Sequence, residues 1–156
     1  MIRQLLGALA VVLVVASVAF AADPAPTPTR AAPADPDLAD ARARIEAGDW
    51  AGAVAVLKKA VARDPGNADY HNLLAYSTRK GPNPDMDLVF KHYNEALRLD
   101  PKHRGAHEYI GEAYLLIGNL PKAKEHLAAL DKLCFFSCEE FRDLKKAIER
   151  YEVSKK

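Results

Sequence analysis

Three hydrophobic regimes follow one another along the chain. Residues 5–20, LLGALAVVLVVASVAF, form an unbroken apolar run behind a single positive charge at Arg3. Residues 22–37, ADPAPTPTRAAPADPD, carry almost nothing to bury, and their Pro and Ala content predicts an extended, semi-rigid tether. From Leu38 onward apolar residues return at intervals of three and four, the spacing that lines one face of an α-helix. Ala53, Leu57 and Ala60 are spaced this way, as are Val89, Tyr93 and Ala96, then Ala123, Leu127 and Leu130. Phe141, Leu144, Ile148 and Tyr151 make a last one-sided stripe among Arg, Lys and Glu. The folded part is expected to be all-α.

These stripes are copies of one another. Ala53 and Val89 lie thirty-six residues apart and Val89 and Ala123 thirty-four, and the other two positions of each stripe keep the same intervals. Asp64-Pro65 returns thirty-six residues later as Asp100-Pro101. A period near thirty-four marks a stacked array of helix-turn-helix units, each burying too little alone to be stable. Small residues such as Ala53, Ala96 and Gly111 let neighbouring helices approach, and Leu57, Tyr93 and Leu127 fill the gaps. The next period lands on Cys134-Phe135, so LDKLCFFSCEEFRDL, residues 130–144, stands where a third Asp-Pro turn is due. Ser137 with Glu140 three residues on has capping-box spacing and predicts a new helix there, suited to closing the stack.

The residues resemble the tetratricopeptide repeat (TPR) family. The third repeat carries Ile110, Gly111 and Tyr114 on its first helix, Gly118-Asn119-Leu120 at the turn, and Ala123 and Leu127 on its second helix. The second carries Leu74, Ala75, Tyr93, Ala96 and Asp100-Pro101, but its turn, GPNPDMD, holds two extra residues. The first is strong only from Gly48-Asp49-Trp50 onward, its opening helix packing through Leu38, Ala41 and Ile45. The resemblance implies a right-handed α-solenoid of three repeats plus a C-terminal capping helix, whose first helices line a concave groove for a partner protein or peptide. On that register Asn72, Tyr76, Arg79, Glu108, Glu112 and Leu115 line the groove, and charge reversal at Arg79 and Glu112 is expected to weaken capture without unfolding the domain. The positions where some family members clamp a C-terminal carboxylate read Leu38, Arg42, Leu73, Gly105 and Tyr109, of which only Arg42 suits the task. An acidic tail is thereby excluded, and the mixed charge fits a neutral or amphipathic segment.

The ends change the setting. One charge, a sixteen-residue apolar run and Ala19-Phe20-Ala21 have the pattern of a secretory signal, with cleavage expected after Ala21. The run falls short of the ~20 residues of a comfortable membrane span; its retention as an N-terminal anchor is the alternative. The expected organisation is a signal peptide at 1–21, a linker at 22–37, repeats at 38–67, 68–103 and 104–136, and a capping helix and tail at 137–156, in the periplasm or secreted. Loss of Arg3 takes the formal net charge from +1 to 0, and no Lys/Arg stripe is present, so nucleic acid is not an expected partner. Phosphate-binding glycine loops, His-Glu-x-x-His and nucleophile elbows are all missing, and neither an enzyme nor a cofactor is expected.

Cys134 and Cys138, the two cysteines of the chain, admit three readings. Export favours a disulfide pinning the last repeat to the capping helix, expected to add about 2 kcal/mol or less because its loop is short. Cys-x-x-x-Cys also resembles the Cu(I) ligands of some exported copper chaperones, with His107 or His126 to complete the set, and a thiol-redox role is the third. A metal or redox accessory protein using these cysteines therefore competes with the adaptor or assembly-factor reading, and self-association through the concave face is a further one. His103 and His107, four apart, read as a turn histidine and a packing histidine without a third ligand, so no metal is assigned to them. His71, His92 and His126 read as isolated surface or packing residues, and Glu139-Glu140 as solvated or capping acids.

Overall fold

Side-chain acceptors mark where helices begin in the computed structural model, which describes residues 35–155. Asp35, Asp49, Asn67, Asp85, His103 and Asn119 each accept from a backbone N–H of the first turn, satisfying groups that no intrahelical carbonyl reaches. They open α1 (Pro36–Glu46), α2 (Trp50–Arg63), α3 (Ala68–Lys80), α4 (Met86–Leu99), α5 (Arg104–Leu116) and α6 (Leu120–Leu133). A seventh helix, α7 (Glu139–Ser154), follows, and among the described residues there is no strand. The signal and most of the linker expected from the sequence lie outside the described residues.

Consecutive helices pair and the pairs stack into an all-α solenoid. Gly48 and Gly118 turn the chain between α1 and α2 and between α5 and α6 at φ 73° and 79°, backbone that glycine adopts without strain. The periodic positions are the core: Ala53, Val89 and Ala123, Leu57 and Tyr93, and Ala60, Ala96 and Leu130 are all fully buried. Each large apolar side chain so buried contributes roughly 1.5–3 kcal/mol. Beyond the third pair α7 packs on both α5 and α6, and Leu144 and Ile148 cover Leu115, Ala123 and Leu130. The last apolar face of the stack is thereby closed.

Two helix starts differ from the sequence expectation. The linker was drawn to Asp37, but α1 begins at Pro36, because Asp35 caps it through the Asp37 and Leu38 amides and proline suits the first turn. Ser137 does not cap α7. It lies at φ +33°, Cys138 takes the N-cap position without a side-chain hydrogen bond, and Glu139 and Glu140 lie in the first turn, where acids complement the helix dipole.

Candidate functional site

Successive first helices touch: α1 lies against α3, α3 against α5 and α5 against α7, whereas α2, α4 and α6 make no contact among themselves. The stack therefore bends around the first helices, whose common face is the inner one. A row of aromatic rings runs along it. Trp50 meets Tyr76 edge-on at 6.1 Å between centroids, and Tyr76 lies on Tyr109 at 4.6 Å. Both tyrosines are half-buried, and burial raises both hydroxyl pKa values, that of Tyr109 to about 12.

Charge is deployed unevenly along this face. At the N-terminal side Asp69 faces His103 Nε2 at 3.4 Å and Arg42 at 3.9 Å, and the histidine contact holds the Asp69 carboxyl below its ordinary range. In the middle, Arg79 donates to Glu112 at 2.8 Å and to the Tyr93 hydroxyl at 3.4 Å, with its guanidinium carbon 5.5 Å from the Tyr76 ring centre. At the C-terminal side Glu108 shares a cleft of about 240 Å³ with Gly105, Tyr109, Glu139, Glu140 and Asp143. Burial first, then repulsion from Glu112, Asp143, Glu140 and Glu139, pushes the Glu108 carboxyl up to about 8.

Of the six residues expected in the groove, Tyr76, Glu108 and Glu112 reach the inner surface with part of their area open. The other three are taken into the structure. The Arg79 side chain is 7% exposed and serves as the buried partner of Glu112, so the expected reversal of its charge without unfolding does not fit its surroundings. Leu115 is 9% exposed and belongs to the core under α7. Asn72 is 4% exposed, and its Oδ1 has no hydrogen-bond partner. It is Asn72, not Leu73, that stands beside Gly105, since Leu73 packs into the core of the first repeat. Tyr109 stands on this face, as its clamp position implies, whereas Trp50, Glu139, Glu140 and Asp143 are not among the residues the register places there. Glu139 lies thirty-four residues after Gly105, so carrying the period through the cysteine stretch places it there.

His71, His92 and His126, which look isolated in the sequence, are each paired with another histidine, His126 with His107. His71 Nδ1 lies 2.9 Å from His92 Nδ1, and His107 Nδ1 lies 2.9 Å from His126 Nδ1. Their first members sit thirty-six residues apart and their second members thirty-four, the repeat period itself. His71 Nε2 and His107 Nε2 donate to the Pro65 and Pro101 carbonyls, so in each neutral pair the Nδ1 of the first ring accepts from the second. His107 and His126 thus answer each other rather than the cysteines, and no three metal-binding side chains converge among the described residues. In this structure the Cys134 and Cys138 sulfurs lie at bonding distance across the α6–α7 connection, with 5.5 Å between Cα atoms. His103 caps α5 through Nδ1, which makes it more than a turn residue.

A family model described as tetratricopeptide repeat matches residues 38–85 and 91–133. No curated protein matches the sequence. Among solved structures the chain is similar to the Yersinia enterocolitica type III secretion translocator chaperone SycD, with a TM-score of 0.67 at 17% identity over 77% of this chain and 83% of that one. SycD in complex with a peptide of the translocator YopD aligns with a TM-score of 0.63 at 18% identity, covering 78% and 93%. The TPR2B domain of yeast Sti1, solved in a complex with pHsp70, aligns with a TM-score of 0.67 at 16% identity, covering 76% and 95%.

Proposed function

Because the chain belongs to the tetratricopeptide repeat family, we propose that it is a protein–protein interaction module that holds an extended segment of a partner along the face of α3, α5 and α7. The observation that carries this reading is the half-buried Tyr76–Tyr109 pair, set between ion-paired groups on one side and an acid-walled cleft on the other. Packed tyrosines offer apolar area and a polar tip at small entropic cost, which suits a surface that closes over a chain. SycD with its YopD peptide and the Sti1 domain with pHsp70 support a peptide or protein as the partner class.

The finer reading is an exported adaptor or assembly factor without catalytic activity. The apolar run at 5–20 with its Ala-x-Ala end supports export, the Pro/Ala stretch supports presentation on a tether, and a disulfide fits an oxidising compartment. A photo-crosslinking residue placed at Tyr109, and separately at the exposed Lys91 of α4, tests the face in native cells. The Tyr109 probe is expected to capture one discrete partner that the Lys91 probe does not. Equal capture by both, or capture from Lys91 alone, contradicts the reading.

A further inference from the structure

Phe135 and Phe136 are 93% and 87% exposed, and neither belongs to a core cluster. Their rings meet edge-on at 4.7 Å between centroids. They form the tip of the α6–α7 connection, whose ends, Cys134 and Cys138, stand 5.5 Å apart between Cα atoms. The tip is a short, closed turn that offers two large apolar side chains to solvent, which costs free energy in water unless something covers them. A chain of contacts fixes the edge of the stack that carries it. Tyr70 donates to Asp35 at 2.5 Å, Asp69 faces His103 at 3.4 Å, and Arg104 faces Glu140 at 3.5 Å. Each of these residues lies at the cap or first turn of its helix, so α1, α3, α5 and α7 all begin along one edge, and the tip directly precedes the last of these starts. The described chain also begins on that edge, at Asp35, and the apolar run at 5–20 precedes it in the sequence. Leu116, Ile117 and Val153, the other exposed large apolar residues, are at the C-terminal ends of α5 and α7, on the opposite edge.

Charge decides what covers the rings. Asp131 and Lys132 lie before the tip, Glu139 after it, and Lys102 and Arg104 at the neighbouring helix start, all exposed. Two phenylalanines supply about 300–500 Å², against the roughly 800 Å² that each partner of a standard protein interface buries. A second copy or a folded partner docking here would therefore have to bury the surrounding charges as well. A bilayer needs no complementary pocket: the rings enter the acyl boundary while charges of both signs stay among the headgroups. We propose that Phe135 and Phe136 form an interfacial anchor that dips into a lipid bilayer and holds the starting edge of α1, α3, α5 and α7 against it. Two rings alone bind weakly and reversibly, so lasting attachment needs a second hold. The chain that precedes Asp35 joins the fold on the edge where such a hold would act. The anchor stands independently of the groove reading, since the tip shares no residue with the inner face.

Para-fluorophenylalanine placed at Phe136, and separately at Leu116, reports on the two edges by fluorine NMR in the full chain. The vesicles are equimolar phosphatidylethanolamine and phosphatidylglycerol and carry a nitroxide on the acyl chain. With them the probe at Phe136 is expected to broaden roughly tenfold more than the probe at Leu116. Because the flanking charges are of both signs, the difference should persist at high salt. Phe135→Ser should reduce it several-fold, and since Phe135 lies outside the core the helical circular dichroism should not change. Equal broadening at the two positions, loss of the difference at high salt, or indifference to Phe135→Ser overturns the anchor. So does a Phe136 resonance that moves with the partner captured at Tyr109 and not with vesicles, which would assign the tip to a protein contact.

Discussion

Gly111 has no side chain because Leu144 occupies the space where one would be. A Cβ there would meet both Leu144 methyls, at 2.6 and 2.8 Å, and Leu144 is fully buried. Gly111→Ala should therefore cost about 1–3 kcal/mol in urea unfolding despite the better helix propensity of alanine. An unchanged midpoint would mean that α7 rides on α5 more loosely than described. Arg79 makes a second test at this scale. Arg79→Glu puts two carboxylates where Glu112 and a guanidinium now sit, and the loss of a buried pair, about 3–5 kcal/mol, should unfold much of the population. The period shows that position 79 lies on a first helix but not that its side chain is folded under the aromatic row. That depends on Tyr93 and Glu112, fourteen and thirty-three residues away.

Among the elements, the two histidine pairs fasten first helix to second in the second and third repeats and tie both to the preceding Asp-Pro turns. Burial and the facing ring hold His92 and His126 down to about 4, from an ordinary value of 6.5. A depressed pKa makes the unfolded chain the better proton binder, so stability is complete above about pH 6.5 and is lost as pH falls toward 4. Both rings are partly open to solvent, and the loss is about 1–2 kcal/mol per pair after screening. Urea midpoints at pH 7 and pH 4.5 should show it, and His92→Gln/His126→Gln should flatten the difference. The pairs were legible in the period, since both members repeat at its intervals. A search for three ligands or for one face of one helix passes over two rings on different helices. The α6–α7 junction makes another test: a Cys134–Cys138 disulfide would enclose five residues, and Cys134→Ser/Cys138→Ser should then cost about 2 kcal/mol. The untreated protein should show no free thiol, whereas two titratable thiols would return the cysteines to the competing metal or redox reading.

On the scale of the molecule, helix number, pairing and closure follow from the spacing of Ala53, Leu57, Ala60 and their copies, because burial of a periodic stripe has one efficient solution in a stack. The binding face was less legible. Tyr76, Glu108 and Glu112 can be placed from the register, but the acid wall comes from α7, beyond the last complete repeat. Its charges look like an ordinary solvated surface until α7 is laid against α5. The central claim is that the inner face, and not the outer one, holds the partner. The most direct measurement is the affinity of the captured segment for wild-type protein, for Tyr76→Ala/Tyr109→Ala on the inner face, and for Lys91→Ala on α4, each with its melting temperature recorded. Loss of at least roughly tenfold in the tyrosine variant, with Lys91→Ala within about twofold of wild type, is the predicted result. A tyrosine variant that stays folded and binds as wild type does, or a Lys91 variant that loses binding, would contradict it.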